Sequence, residues 1–305
     1  MRNYNICYSG RGDYHLLRWL SGAMENFTLT LYSPEFHSDI VVVLGDRYEA
    51  ILHAVEAIRN KCVVAHIHGG EVSKGSMDDM YRDAITKLAH YHFPATEQAG
   101  DRIVAMGEDP GRVHVVGSLG VEMVKSQLHG LPKKKQIMAC YHPNTVEDKT
   151  RAEVQALLQA LDGFPDYEII ITEPNTDPDS EIVESEVSSW ASVRDNVRYV
   201  DTLGESYISH LQESEVLVGN SSSGIIEAPS CSTWTVNVGD RQKGRERGNS
   251  VIDVGADVEE IIAVIVSITR AEYTPIFTNP YDRPGTREAI ASILESCDLT
   301  FAKRR

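Results

Sequence analysis

Short, uninterrupted apolar runs punctuate this chain, and between them apolar residues recur with helical spacing. The runs are 4–8, 40–44 (IVVVL), 63–67, 113–116, 137–141, 168–172 (EIIIT), 197–200, 215–218 and 235–238. A run with little polar alternation suits a strand covered on both faces, as in a parallel sheet. Helical patterns fill 14–25, 48–60, 78–90, 96–107, 148–162, 205–213, 223–229 and 256–270. The alternation predicts an α/β fold with parallel sheets and helices on both faces. There are too many strands for one sheet of this length, and SQLHGLPKKKQ (126–136) is polar, with a Gly, a Pro and three lysines. We therefore expect two Rossmann-like domains, 1–128 and 129–283. A final helix at 285–297 follows Pro280 and Pro284, and the segment 284–305 is expected to pack back on the first domain.

Composition narrows the partners more than the fold. Of the 305 residues 42% are hydrophobic and 24% charged, as in soluble globular proteins. A net charge of −16 argues against nucleic acid and anionic membranes as general partners. An anionic ligand must then be held by a few local cations and backbone N–H groups. No apolar run approaches the roughly 20 residues that span a bilayer. The opening MRNYNICYSG lacks the apolar core of a signal peptide, so a cytoplasmic location is expected. Cys7, Cys62, Cys140, Cys231 and Cys297 are scattered, with no CxxC pair. They read as reduced core residues rather than zinc ligands.

In doubly wound sheets, ligands sit at the carboxyl ends of the strands. The polar residues just after each run are therefore the candidates. SGRGDY supplies Arg11 and Asp13; GDRYE supplies Asp46 and Arg47; HGGE supplies His68 and Glu71. HPNT supplies His142, EPNTD supplies Asn175, and GDRQKGRERG supplies Arg241, Lys243, Arg245 and Arg247. Any one of them has a structural explanation, since an Asp after a strand is more often a cap than a catalyst. Their number on one predicted edge of the two sheets points to a shared cleft.

GNSSSG (219–224) stands where a strand hands over to a helix. Gly219 and Gly224 allow close backbone approach, and Ser221, Ser222 and Ser223 offer hydroxyls at a helix N-terminus whose dipole favours an anion. The pattern is neither GxGxxG nor a P-loop, so NAD and ATPase readings are not favoured. A diphosphate fits, with Glu227 accepting from ribose hydroxyls. The alternative is a serine cap with Glu227 as a first-turn acid. The cationic loop 241–247 is either a phosphate contact or a solvated loop. Asp78, Arg82 and Thr86 share a helix face at i, i+4, i+8, which reads as an N-cap Asp with an ion pair; alternatively Asp78, with two strand-end acids and two histidines, serves proton transfer.

Together, LGDRYEA, AHIHGGE, DAITKLAHYHF, GEDPGRVHVVGSLG, GNSSSGIIEAPS and NVGDRQKGR resemble the hydrolysing UDP-N-acetylglucosamine 2-epimerases of sialic-acid biosynthesis. The motifs lie in order over nearly the whole chain. The resemblance implies a glycosyltransferase-B-like fold with the nucleotide sugar in the inter-domain cleft. It implies conversion of UDP-N-acetylglucosamine and water to N-acetylmannosamine and UDP, by elimination through 2-acetamidoglucal and water addition, without cofactor or metal. By position, the acid/base groups fall on Asp46, His68, Asp78 and His142. His68 departs from relatives with Glu there, so either the imidazole or Glu71 carries the proton. UDP contacts carry over to Arg11, Asn175, Ser221, Ser222, Glu227 and Arg241. A homodimer or homotetramer is implied.

Two departures stand out. Asp83 replaces the His of RHAITK. Between SGRGDY and LGDRYE the family usually carries roughly fifty more residues, enough for a further strand and helices; here FTLTLYSPEFHSD bridges the motifs. A UDP-diacetamido-trideoxyhexose or GDP-N-acetylglucosamine could replace UDP-N-acetylglucosamine as substrate. The same fold also serves non-hydrolysing epimerisation, a catalytically weak nucleotide-sugar-binding subunit, or a retaining glycosyltransferase.

Overall fold

Successive residues of IVVVL enter different cores. In a computed structural model, Ile40, Val42 and Leu44 pack in one buried cluster and Val41 and Val43 in another, so the strand is covered on both faces. The structure describes residues 2–9, 11–31, 37–271 and 276–301, without the side chains of Arg11 and Gly12.

The chain divides into two units. The first comprises residues 1–72, 77–123 and 280–305, and the second residues 73–76 and 124–279. The first begins with β1 (Tyr4–Cys7), α1 (Arg11–Ser21), β2 (Phe27–Thr30), β3 (Ile40–Leu44), α2 (Tyr48–Arg59) and β4 (Val63–Ile67). It continues with α3 (Asp78–Leu88), β5 (Tyr91–Phe93), α4 (Glu97–Ala105) and α5 (Leu119–Ser126), and the division between the units falls within α5. The strands are parallel, in the order β2-β1-β3-β4-β5.

The second unit contains β6 (Lys134–Cys140), α6 (Thr150–Leu161), β7 (Glu168–Thr172), α7 (Ser180–Ala191), β8 (Val197–Val200) and α8 (Tyr207–Glu213). After these come β9 (Ser214–Gly219), α9 (Ser223–Ile226), β10 (Trp234–Val238), β11 (Val251–Val254) and α10 (Val258–Thr269). Its sheet is also parallel, in the order β11-β10-β9-β6-β7-β8. The chain then returns to the first unit as α11 (Thr286–Ser296), whose Ile290, Ala291 and Leu294 join the core of Ile6, Leu17 and Leu20. Arg2 donates to the carbonyls of Leu294 and Cys297, each at 2.7 Å, and ties down the end of α11.

Several elements differ from the sequence reading. FTLT forms the edge strand β2 where only a bridge was expected, and it is half exposed. β5 and β11 are short and were missed, as were α5 and α7. The run 113–116 does not become a strand; only Val113 bridges to His92. The first helix runs from Arg11 to Ser21 rather than over 14–25. Four cysteines are buried and Cys140 is partly buried, all as free thiols. Among the described residues no helix is long and apolar enough to cross a membrane.

Candidate functional site

In each sheet the strand order reverses once. The first has the flavodoxin-type order with its switch between β1 and β3, and the second reverses between β6 and β9. Crevices outside the carboxyl ends at such points receive ligands.

In the first unit, β1 leads to Asp13 and β3 leads to Gly45 and Asp46. The Ser9 N–H donates to Asp13 Oδ2 at 3.2 Å. Burial raises the Asp13 pKa to about 6; the Ser9 N–H and Arg47 oppose the rise, and Asp46 and Glu49 add to it. Gly45 turns the chain at φ +74°. Behind the turn lies Arg82 of α3, 1% exposed. Its Nη2 donates to Asp46 Oδ2, and its Nη1 donates to Asp79 Oδ1 at 2.6 Å and to the Glu71 carbonyl at 2.9 Å. Burial alone lowers the Arg82 pKa, but Asp46, Glu71 and Asp79 outweigh it and hold the guanidinium charged.

His68 follows β4 at φ +62°, a strained conformation for a residue with a Cβ. Its Nδ1 lies 2.6 Å from Oε1 of the buried Glu71. Arg102 secures the Glu71 backbone with a 2.6 Å bond to its carbonyl, and its other arm meets Asp83 at 2.8 Å. Asp83, the departure from RHAITK, is thus answered by Arg102. His66 is fully buried, with Nε2 2.7 Å from the Gly45 carbonyl and Nδ1 3.3 Å from the Thr86 hydroxyl. A carbonyl only accepts, so Nε2 carries the proton and Nδ1 accepts from Thr86. Burial drives the His66 pKa down to about 3, and a neutral ring ties the Asp46 turn to α3.

The structure therefore brings Asp46, His68 and Glu71 together around Arg82 and α3, where Asp78 is the first residue. Arg82 and Asp79 were missed as site members. The helical spacing had placed Arg82 on a face with Thr86; the unseen part was the tertiary bond to Asp46. Arg11 opens α1, and its side chain lies outside the described residues.

In the second unit, Asn220 joins the two switch-point loops. The His142 N–H donates to Asn220 Oδ1 at 2.7 Å, and Asn220 Nδ2 donates to the His142 carbonyl at 2.8 Å. Gly219 allows the close approach: its φ is +131°, and a Cβ there would lie 2.0 Å from the Cys140 carbonyl. The Asn175 N–H donates to His142 Nδ1 at 3.0 Å, so the imidazole proton sits on Nε2, 3.5 Å from Cys140 Sγ. His142 is thereby set as a donor. The Asn175 side chain donates to Asp177.

Arg241 is 7% exposed, with Nη1 3.5 Å from the Asn220 carbonyl and Nη2 3.5 Å from Asp177 Oδ2. Gln242 donates to the same Asn220 carbonyl at 2.9 Å. Arg245 is buried as well, while Lys243 is exposed. The solvated-loop alternative therefore fails for the two arginines. Asn220, Asp177 and Gln242 were not predicted. All three lay inside quoted strand-end motifs, Asn220 in GNSSSG, Asp177 in EPNTD and Gln242 in GDRQKGRERG, which was their sequence signal.

The serines need a correction. The helix expected over 223–229 is one turn, α9, followed by a 3-10 turn at Ala228–Cys231. A single turn has little macrodipole, so that part of the anion argument drops. Ser222 occupies the N-cap without a side-chain cap bond, and the Ser223 N–H reaches Ser221 Oγ at 3.4 Å. Glu227 closes the turn at its C-terminal end, so it is not a first-turn acid. Ser221, Ser222 and Glu227 remain partly exposed on the strand-end edge. A separate cavity of about 720 Å³ lies by β10 and β11, lined by Lys149, Glu153, Asn237, Lys243, Arg247 and Glu260, and includes none of the predicted UDP contacts.

The chain matches the family model described as UDP-N-acetylglucosamine 2-epimerase over residues 21–295. It is 33% identical over 285 residues to polysialic acid biosynthesis protein P7 of Escherichia coli, covering 86% of this chain and 72% of that one. It is 36% identical over 276 residues to UDP-N,N'-diacetylbacillosamine 2-epimerase (hydrolyzing) of Legionella pneumophila, again covering 86% and 72%. In fold it is similar to the S. aureus MnaA–UDP structure, with a TM-score of 0.80, 15% identity, and coverage of 97% of this chain and 96% of that one.

Proposed function

This chain belongs to the UDP-N-acetylglucosamine 2-epimerase family, and we propose that it converts UDP-N-acetylglucosamine and water to N-acetylmannosamine and UDP. The observation that carries this reading is the His68–Glu71 pair beside the Arg82–Asp46–Asp79 group at the strand ends of the first unit. A proton abstraction at carbon needs a base fixed in one tautomer, and a carboxylate behind an imidazole supplies that. With Nδ1 held by Glu71, His68 presents Nε2 to the C2 proton.

The C2–H pair becomes the C1–C2 double bond of 2-acetamidoglucal as the C1–O bond to UDP breaks. Water then adds at C1, and a proton returns to C2 from the opposite face, with Asp46 and Asp78 as the proposed carriers. The leaving diphosphate gathers negative charge. The buried Arg241, the Nε2–H of His142 and the groups around Ser221 and Ser222 are the proposed stabilisers of that charge. Glu227 is proposed for the ribose hydroxyls. Residues assigned to UDP fall in the second unit, apart from Arg11, and those assigned to C2 chemistry fall in the first.

Proton NMR in D₂O with UDP-N-acetylglucosamine tests the reading. Free UDP and N-acetylmannosamine deuterated at C2 are expected. UDP-N-acetylmannosamine as the product would exclude the hydrolysing step, and no turnover in protein that binds UDP would exclude this sugar. UDP-N,N'-diacetylbacillosamine is the second substrate to test, because a relative named for it is 36% identical.

A further inference from the structure

Ser73–Ser76 is counted with the second unit, although Val72 before it and Met77 after it belong to the first. Within the second unit this segment lies backbone-on-backbone against the loop that carries Arg241. The Lys74 N–H donates to the Lys243 carbonyl at 3.0 Å. A Cβ on Gly75 would lie 2.5 Å from Arg241 Cα, 2.8 Å from Arg241 N and 2.8 Å from the Asp240 carbonyl oxygen. All three atoms are backbone, so no side-chain rotation makes room. Gly75 has no left-handed φ, and its requirement is close approach alone. Ser73 and Ser76 are buried on either side, while the Lys74 side chain is exposed.

The segment is short at both ends. Glu71, the partner of His68, precedes Ser73 by two residues, and Asp78 follows Ser76 by two. Two residues span at most about 7 Å, so neither side has slack. On the far side the chain is fixed again, by Arg82 and Arg102 on the Glu71 carbonyl.

We propose that Gly75 is a positioning residue: its contact with the Arg241 backbone transmits occupancy of the diphosphate site to Glu71 and Asp78. The inference rests on the reading that Arg241 holds the diphosphate. An unoccupied Arg241 loop leaves the segment looser, and a bound diphosphate fixes it and with it the acid/base groups. Occupancy and proton transfer are then coupled through the chain itself, without a ligand contact by Gly75.

The test is amide hydrogen exchange of the full chain with and without UDP, alongside steady-state kinetics of wild type, Gly75→Ala and Lys74→Ala. UDP is expected to slow exchange over residues 77–84 in wild type and in Lys74→Ala, but not in Gly75→Ala carrying bound UDP. In Gly75→Ala kcat is expected to fall roughly 10²-fold, the scale of a displacement near 1 Å, with UDP affinity little changed. Lys74→Ala should keep kcat. The proposal is overturned if UDP protects the Arg241 loop but leaves 77–84 unchanged in wild type, a result that needs no variant to fold. It is also overturned if Gly75→Ala keeps that protection, or loses UDP affinity and kcat/KM in equal measure. UDP binding without sugar turnover in wild type would defeat the epimerase reading, while the exchange result would still decide the role of Gly75. Absence of UDP binding would defeat both.

Discussion

Arg82 and Asp46 stand 36 residues apart in sequence and form a hydrogen-bonded ion pair, with the guanidinium 1% exposed and the carboxylate 23% exposed. The same guanidinium holds Asp79 and the Glu71 carbonyl. Removing it leaves two carboxylates facing each other without their cation. Arg82→Ala is therefore expected to cost about 3–5 kcal/mol, because a buried pair is broken on one side only. Arg82→Lys should fall between wild type and the alanine variant, since one ammonium cannot reproduce the planar fork. Urea denaturation of the three proteins measures this. A loss below about 1 kcal/mol in the alanine variant would place the ion pair among weak surface bridges.

Asp46→Asn and His68→Gln are expected to lower kcat by about 10²–10⁴-fold, the usual contribution of a positioned acid or base. UDP affinity should survive both, because the residues assigned to UDP fall almost entirely in the other unit. Isothermal titration with UDP, set beside turnover, separates the two effects. Near-full activity in either variant would remove that residue from the chemistry.

The two parallel sheets and most strand ends were legible because fully covered strands read as continuous apolar runs. IVVVL and EIIIT have no other comfortable environment. The missed strands FTLT, YHF and VIDV are three or four residues long, and FTLT lies at an exposed edge, where burial leaves little pattern. The run 113–116 pairs with the sheet only briefly: the His114 and Val116 N–H groups donate to the His92 and Pro94 carbonyls, and the pairing amounts to one bridge, Val113 with His92, rather than a strand. Candidate residues next to strands were visible for the same reason as the strands. Arg82, Asp177 and Asn220 act through tertiary hydrogen bonds, which spacing along the chain cannot specify, whereas Asp79 meets Arg82 at i, i+3 on α3, a pair that helical spacing does permit. Even the one-turn length of α9 was hidden, since GIIEAPS has helical periodicity until Pro229 ends it.

Asp13 gives a pH signature with a definite sign. Its folded pKa is about 6, against 3.8 for the unperturbed group. Between these values the folded state holds a proton that the unfolded state has released, so this residue makes stability fall as pH rises through that window. Asp13→Asn should therefore gain stability at pH 7, on the order of 1–3 kcal/mol, and lose the advantage below about pH 4. Denaturation at the two pH values checks it. An advantage that persists below pH 4 would point to packing rather than ionisation.

Arg241 shares its guanidinium with an internal anion. Asp177 Oδ2 lies 3.5 Å from Nη2, far enough for a weak pair and close enough to compete with an incoming phosphate. Arg241→Ala should weaken UDP binding by about 1.5–3 kcal/mol, the range for a charge-assisted hydrogen bond. Asp177→Asn should act in the opposite direction and tighten UDP, because the carboxylate no longer opposes the diphosphate. In the double variant the benefit of Asp177→Asn should shrink, since the cation for which the two anions compete is gone. Fluorescence or calorimetric titration of the four proteins with UDP closes this cycle. Equal and additive effects would show that Asp177 acts on the loop fold and not on the charge of Arg241.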